Sequence, residues 1–199
     1  MSDAVDTLRP DLQCIADWVP AGARVLDLGC GDGALLGYLQ TRKGCHGYGV
    51  EIDDKAVLRC AQRGINVIQQ NIEEGLGMFN AAQFDVVISS MAIQATHKTE
   101  QVLSEMSRIG KEGVVSFPNF GRWTHAWSLL RGHMPMSRTM PYQWYDTPNL
   151  HLATIPDFES FLRDHDLVIT ASAFLADGRP VRALAGLRAT QAIYRFRRR

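Results

Sequence analysis

The positions of apolar residues divide the first 117 residues of the chain into alternating strands and helices. Short apolar runs, which indicate strands buried on both faces of a sheet, occupy residues 24–28, 48–52, 65–68, 84–89 and 113–117. In the stretches between them, apolar residues recur every three or four positions, which predicts helices. Strands and helices that alternate through short connections build a mostly parallel sheet with helices on both faces.

The pattern after residue 151 predicts a different end to the sheet. Residues 155–162 carry the apolar spacing of a further helix, and a sixth strand begins at Leu167. Asp177-Gly178 is a turn signal, and residues 190–196 alternate in the way expected of a half-exposed edge strand. We therefore predict an α/β, Rossmann-like fold with seven strands and an antiparallel C-terminal hairpin.

Residues 118–151 interrupt this rhythm as an insertion rich in aromatic residues and proline. They hold three of the four tryptophans, Trp123, Trp127 and Trp144, and four of the eight prolines. A short helix is predicted at Trp123–Leu130, and the remainder is irregular. A long irregular stretch inside a compact domain is usually a lid or a binding segment, and a local mini-core is the alternative. Residues 1–199 are predicted to form a single domain that contains this insertion.

The composition narrows the classes of partner. Lysine plus arginine equals aspartate plus glutamate, at 21 residues each, so no overall field attracts nucleic acid or an anionic membrane. The basic run at residues 195–199 is predicted to be solvated, no apolar stretch is long enough to span a bilayer, and residues 1–4 show no signal pattern. The four cysteines form no CxxC pair, which favours reduced thiols in the cytoplasm over disulfides or a metal site. We therefore expect no nucleic acid, membrane or metal partner.

The candidate chemistry is concentrated where the first strand ends. Asp27 lies in that strand, and three alternating glycines, Gly29, Gly31 and Gly33, follow it before the next helix begins. Glycines let the backbone turn sharply and let a ligand approach it, and the free N–H groups of the helix face that ligand. Glu51 ends the second strand about 18 residues further on, where a carboxylate can accept hydrogen bonds from ribose hydroxyls. The combination predicts a nucleotide-type cofactor site at the carboxyl edge of the sheet.

Two cofactor classes compete for this site. Gly29, Gly31 and Ala34 loosely satisfy the dinucleotide pattern, in which the glycines approach a pyrophosphate. Asp27 and Asp32 would repel a pyrophosphate, whereas they would attract the sulfonium and ammonium groups of S-adenosylmethionine. We therefore predict S-adenosylmethionine, or S-adenosylhomocysteine, as the cofactor.

Each polar group is then expected to meet a separate part of the cofactor. Gly29 and Gly31 pass close under the methionine part, and Asp27 orders the loop or faces the ammonium. Glu51 holds the ribose. Asn71, which follows the third strand, meets the adenine amino group with its amide oxygen.

The chain resembles a known family over nearly its whole length. The stretch from Val25 to Gly33, with Glu51 after the second strand, is similar to the first motifs of class I S-adenosylmethionine-dependent methyltransferases. Phe-Pro-Asn-Phe-Gly-Arg-Trp at residues 117–123, together with residues 132–135 and 142–149, resembles more specifically the methionine biosynthesis protein MetW family. Asn71 departs from the acid that is usual in the family, and an amide accepts from adenine without the assistance of charge.

The resemblance implies a fold, a partner and a set of cofactor-binding residues. The fold is the class I methyltransferase fold, and the partner is a MetX-like homoserine O-acyltransferase, beside which the chain would act as an accessory or regulatory subunit of methionine synthesis. The alternative is a free-standing S-adenosylmethionine-dependent methyltransferase that acts on a small metabolite. The predicted cofactor-binding residues are Asp27, Gly29, Cys30, Gly31, Gly33, Glu51, Ile52, Asn71, Ile72 and Ser89.

No catalytic residue follows from the sequence. Methyl transfer needs little beyond in-line placement, because the sulfonium supplies the leaving group. Ser89-Ser-Met-Ala92 stands where amino-methylating enzymes of DNA and glutamine carry Asn-Pro-Pro-Tyr, which argues against those acceptors. Cys30 is interpreted as a small side chain that fits the tight turn rather than as a nucleophile. Candidate bases without a sequence-near carboxylate to orient them are His97, His125, His133 and His151.

Overall fold

The structure, a computed structural model, describes residues 8–137 and 139–199. Residues 1–4, where the sequence shows no signal pattern, lie outside these ranges. The strands are β1 (Arg24–Leu28), β2 (His46–Glu51), β3 (Val67–Gln69), β4 (Phe84–Ser90), β5 (Gly110–Pro118), β6 (Leu167–Ala176), β7 (Arg179–Pro180) and β8 (Gln191–Arg198). The helices are α1 (Pro10–Trp18), α2 (Ala34–Lys43), α3 (Asp54–Gln62), α4 (Thr99–Ile109), α5 (Trp123–Leu130), α6 (Ile155–Asp164) and α7 (Ala185–Arg188).

The strands form one sheet in the order β3-β2-β1-β4-β5-β8-β6-β7. The five strands from β3 to β5 run parallel, and β8 pairs antiparallel with both β5 and β6. The chain winds outward from β1 to β3, then returns to lay β4 against the other side of β1. In sheets of this kind the carboxyl ends of the strands beside such a reversal form the ligand crevice.

Side chains that alternate along each strand build a separate core on each face of the sheet. One core joins Leu26 and Leu28 of β1 to residues of α4 and α6, among them Met106 and Leu162. The other joins Val25 of β1 and Ile88 of β4 to α1, α2 and α3. Because Asp27 is two residues from Val25, and Ser90 two from Ile88, both side chains point toward the α1–α3 face at the end of the sheet.

The C-terminal strand corrects the expectation of a half-exposed edge. β8 lies between β5 and β6, and Ala192, Ile193 and Tyr194 are all buried. The polar position that suggested an edge is Arg195, whose guanidinium pairs with Glu112 on β5 and can therefore lie inside the sheet. Asp177-Gly178 does form a turn, but it joins β6 to β7, which brings the count to eight strands instead of seven.

The segment between β5 and α6 is largely irregular and exposes much of its apolar surface. α5 has the bounds that the sequence predicts, and within this fully described helix only His125 is buried. The large exposed apolar side chains include Trp123, Trp127, Leu130, Trp144 and Tyr145, which we call the aromatic surface. A local mini-core would bury these side chains, so the packing disfavours that alternative. Among residues 8–137 and 139–199, no helix has the length and apolar character needed to cross a membrane.

Candidate functional site

The glycine loop connects β1 to α2 with three residues in the left-handed region. Gly29, Gly31 and Gly33 have φ angles of 74°, 58° and 73°. A Cβ on Gly29 would lie 2.8 Å from the Cβ of Ala92, whereas one on Gly31 would meet no atom within 4 Å. The N–H of Gly29 donates to the carbonyl of Val50 at 2.8 Å, which fastens the loop to the neighbouring strand. Gly29 is therefore required by both conformation and space, and Gly31 by conformation alone.

Glu51 links the glycine loop to the end of β2. Its Oε2 accepts from the N–H of Gly31 at 2.8 Å, and its Oε1 accepts from the N–H groups of Ile52 and Asp53 at 2.8 and 3.0 Å. A carboxylate offers about four acceptor positions, so these three bonds leave one position on Oε2. Glu51 is thus a structural anchor of the loop that retains capacity for one further donor.

Asp27 presents a buried carboxylate without a partner. Its residue is only 3% exposed, and Oδ1 has no hydrogen bond to any described residue. Burial, with a smaller contribution from the negative charge of Glu51, raises the pKa of Asp27 to about 7. A charged carboxylate in this position is stabilised by a cation placed in the adjoining space.

A cavity of about 480 Å³ adjoins Asp27 and the glycine loop. Its opposite wall comes from the start of α1 and the segment just before it, and its floor comes from the end of β4. The lining residues are Leu8, Arg9, Leu12, Asp27, Gly29, Cys30, Gly31, Asp32, Ala34, Leu35, Ser90 and Met91. We call this space the first cavity; its size is in the range of small-molecule sites.

The structure brings four of the predicted cofactor residues to the first cavity, namely Asp27, Gly29, Cys30 and Gly31. The other predicted residues do not line this cavity. These are Gly33, Glu51, Ile52, Asn71, Ile72 and Ser89.

The residues predicted to meet adenine and its surroundings have local partners of their own. The amide oxygen of Asn71 accepts from the N–H of Glu73 at 3.0 Å, which caps a short 3₁₀ helix at Ile72–Glu74. Ile52 is 62% exposed beside the end of β2, and Ser89 is fully buried on the face opposite Asp27. Asn71 therefore retains one lone pair and its N–H₂ group for a ligand.

Two further loop residues serve packing and charge balance. The Sγ of Cys30 lies 3.9 Å from the Sγ of Cys60. A Cβ on Gly49 would lie only 2.3 Å from the Sγ of Cys30, so the thiol fills the space beside that glycine. Burial raises the pKa of the Cys30 thiol, so it is not the thiolate that a nucleophile requires. Asp32 pairs with Arg63 at 2.9 Å. Of the two loop acids expected to attract a cation, only Asp27 is therefore without a counter-charge.

The family model for methionine biosynthesis protein MetW matches residues 9–196. The chain belongs to the MetW family. A bifunctional methionine biosynthesis protein MetXA/MetW from Rhodopirellula baltica is 36% identical over 183 residues, which cover 84% of this chain and 29% of that protein. The chain thus spans less than a third of that relative.

Solved structures with the same fold support the architecture of this MetW-family chain. An S-adenosylmethionine-dependent methyltransferase from Mesorhizobium loti superposes with a TM-score of 0.70 at 17% identity, covering 94% of this chain and 100% of that one. The plantazolicin methyltransferase BpumL, solved in complex with S-adenosylhomocysteine, superposes with a TM-score of 0.64 at 14% identity, covering 98% and 83%. The MetW-family chain therefore has the class I methyltransferase fold.

Sequence reasoning missed six residues of the first cavity: Leu8, Arg9, Leu12, Leu35, Ser90 and Met91. Strand alternation could have found Ser90, because it is two residues beyond Ile88, which pairs with Asp27. No local signal connects α1 with the site, because only the tertiary fold lays that helix over the glycine loop.

The described residues that line the first cavity include none of the four candidate histidine bases. His125 is buried, with Nδ1 3.1 Å from the carbonyl oxygen of Phe120, and burial lowers its pKa. The structure therefore places none of these four histidines at the glycine loop.

Proposed function

We propose that this MetW-family protein binds S-adenosylmethionine or S-adenosylhomocysteine, with the methionine part in the first cavity, and acts as an accessory, regulatory partner of a MetX-like homoserine O-acyltransferase. The observation that carries the cofactor assignment is the unpartnered, buried carboxylate of Asp27 beside a glycine loop. Residues 1–199 would form one cofactor-binding domain. The described free cysteines, Cys14, Cys30, Cys45 and Cys60, favour a reducing compartment, the cytoplasm.

The groups around the cavity fit this cofactor better than a dinucleotide. Asp27 offers a negative charge where a sulfonium or ammonium would lie, and the same charge would repel a pyrophosphate. Glu51 keeps one acceptor position for a ribose hydroxyl, since three backbone N–H groups occupy the rest. Asn71 would meet adenine with its remaining lone pair. The solved relative that holds S-adenosylhomocysteine supports this cofactor class through its fold.

The partner is suggested by the fused relative. In Rhodopirellula baltica, a protein named MetXA/MetW contains a part similar to this chain within a much longer polypeptide. Two activities fused in one chain are often two subunits elsewhere, so the MetXA part is the natural candidate for a separate partner of this chain.

The aromatic surface is the proposed docking site for that partner. Trp144 and Tyr145 are 72% and 70% exposed and pack edge to face at 5.6 Å between ring centroids. Tryptophan, tyrosine and arginine dominate binding hot spots, and Arg131 lies over the Trp127 ring at 5.0 Å. Exposed apolar side chains clustered in this way commonly mark a protein interface.

A regulatory role needs coupling between the cofactor cavity and the partner. S-adenosylmethionine is made from methionine, downstream of the acyltransferase step. A protein that binds it can therefore signal the amount of S-adenosylmethionine to that earlier enzyme. If cofactor binding favours one state of the complex, partner binding must change cofactor affinity by the same factor. This reciprocity gives the regulatory hypothesis a quantitative test.

The deciding experiment is co-purification of the full chain with its acyltransferase, followed by assay of the acyltransferase with and without S-adenosylmethionine. We expect a stable complex and a changed acylation rate. The double variant Trp144→Ala, Tyr145→Ala should lose the complex, and Leu58→Ala, which removes an exposed leucine from α3, is the matched control. If the wild-type chain neither binds the enzyme nor alters its rate, the accessory role is wrong.

The second candidate is a free-standing methyltransferase that acts on a small metabolite. It is favoured by the presence of another cavity directly beside the first, described below. Mass spectrometry of a cell extract incubated with the protein and isotopically labelled S-adenosylmethionine tests it, and a labelled product that requires Asp27 would favour this candidate over the accessory role.

A further inference from the structure

A second cavity of about 590 Å³ adjoins the first and shares Arg9 and Met91 with it. Its walls come from parts of the chain that are distant in sequence: the start of α1, the 3₁₀ helix at Ile93–Ala95, the irregular segment near Tyr142, the β6–β7 turn and the start of β8. The accessory role proposed above does not use this space.

The second cavity contains buried polar groups that lack full hydrogen bonding. Gln94 is 8% exposed; its Nε2 donates to the carbonyl of Met91 at 2.7 Å, while its Oε1 has no partner among the described residues. Asp11 is 3% exposed and accepts from Arg9 at 3.1 Å. The Nε2 of Gln191 lies 3.6 Å from the sulfur of Met91, which is a weak acceptor. Buried polar atoms usually have partners, so the unpaired Oε1 of Gln94 in particular indicates a polar ligand.

The backbone is strained where the two cavities meet. Met91 has a φ of 54°, a conformation that is uncommon for a residue with a side chain. Its N–H donates to the carbonyl and the hydroxyl of Ser116 at 3.0 and 3.1 Å, and its carbonyl accepts from Gln94. Strain held in place by several bonds is typical of binding sites, and here it positions Met91 between the cavities.

The charges that line the second cavity specify the class of ligand. Arg9 supplies a cation whose side chain is 64% exposed, and Asp11, with which it pairs at 3.1 Å, supplies an anion. Asp177 is also at the wall, but it faces Arg122 at 3.8 Å. The lining is therefore close to neutral, with a donor and an acceptor of opposite charge near each other, which disfavours phosphorylated ligands and simple cations.

We propose that the second cavity binds a small zwitterion of the amino-acid class. Its carboxylate would pair with Arg9, its ammonium with Asp11, and its remaining donor with the Oε1 of Gln94. This inference goes beyond the proposed function. It rests on that function only for the identity of the cofactor in the first cavity. The two assignments fail separately, because cofactor binding and amino-acid binding are measured in separate titrations.

The test is calorimetry on the full chain with L-serine, L-homoserine and L-methionine, each with and without saturating S-adenosylhomocysteine. We expect at least one amino acid to bind in both conditions, and ethanolamine and propionate, which each carry one charge, to bind at least about tenfold more weakly. The proposal is overturned if no amino acid binds at millimolar concentration, or if the singly charged controls bind equally. Competition by S-adenosylhomocysteine also overturns it, since the cavity would then hold the cofactor's own amino-acid end.

Two variants assign the binding to the named groups. Asp11→Asn and Gln94→Leu should each weaken amino-acid binding by about tenfold, with the far-ultraviolet circular dichroism unchanged. Asp17→Asn, on the same helix but bonded to Gln13 outside this cavity, is the matched control and should bind normally. Wild-type affinity in both test variants would contradict the proposal, and if one of them does not fold, the other decides.

Discussion

The glycine loop and the aromatic surface use their residues in opposite ways. In the loop, backbone N–H groups are tied to Val50 and Glu51, and the space beside Gly29 is filled to contact distance. On the aromatic surface, the rings are more than half exposed, and Trp144 and Tyr145 contact each other. One region is already shaped for a small ligand, whereas the other leaves apolar area that only a further molecule can cover. A substitution in the loop should therefore damage the isolated protein, and one on the surface should damage only an assembly.

The largest effect is expected at the most crowded glycine. Gly29→Ala should lower the free energy of unfolding by roughly 2–5 kcal/mol, because a left-handed alanine costs about 1–2 kcal/mol and the overlap with Ala92 adds to it. Gly31→Ala is the matched control: it has the same backbone penalty but open space, and should lose only about 1–2 kcal/mol. Equal losses in urea denaturation would show that the contact with Ala92 is unimportant.

Asp27 should show opposite effects on stability and on binding. Its pKa is raised in the folded protein to about 7 from an ordinary 3.8, so the folded state binds this proton more tightly than the unfolded chain does. The stability that results is fully present below pH 3.8 and is lost as the pH rises through about 7. Asp27→Asn should match the wild-type stability at pH 4 and exceed it at pH 8 by roughly 4 kcal/mol, at about 1.4 kcal/mol per pKa unit.

In the same variant, S-adenosylmethionine affinity should fall by at least about tenfold at pH 8. Wild-type affinity should increase as pH rises through about 7, because the ionised carboxylate is the form that attracts the cation. S-adenosylhomocysteine has the ammonium but lacks the sulfonium. If its affinity shows the same pH dependence, the group beside Asp27 is the ammonium. An affinity that does not change with pH would contradict the assignment.

Glu51→Gln should produce an intermediate effect. The substitution leaves one oxygen acceptor where three backbone N–H groups now donate, so we expect cofactor binding and stability each to weaken by roughly 1–3 kcal/mol. Glu74→Gln, at an exposed position on the nearby 3₁₀ helix, should be close to neutral. Unchanged calorimetric affinity in Glu51→Gln would remove this residue from the site.

The smallest effect on the isolated protein is expected from the aromatic surface. Trp144→Ala with Tyr145→Ala should change the denaturation midpoint by no more than the equivalent of about 0.5 kcal/mol, as for other exposed substitutions. A loss above about 2 kcal/mol would mean that the rings stabilise the fold, and the contrast with the glycine loop would fail.

Local patterns predicted the elements that depend on local chemistry. β1 and α5 have the predicted bounds because continuous apolar runs and helical spacing are properties of the segment itself. The order of strands could not be obtained in this way: Arg195 resembles an edge residue until its pairing with Glu112 is known. The same holds for the site. The glycine loop consists of consecutive residues and can be predicted from them, whereas Arg9 reaches the site only through the packing of α1.

The position of β8 has a consequence for the order in which the sheet can be completed. β8 is the last strand in the described sequence, yet it is the element that joins β5 to β6. During synthesis, both of those strands must wait with unpaired edges until residues 191–198 have been made. A shortened chain that ends before β8 would expose two open strand edges, and such edges readily pair with other chains. The partially made protein is therefore the form most exposed to aggregation.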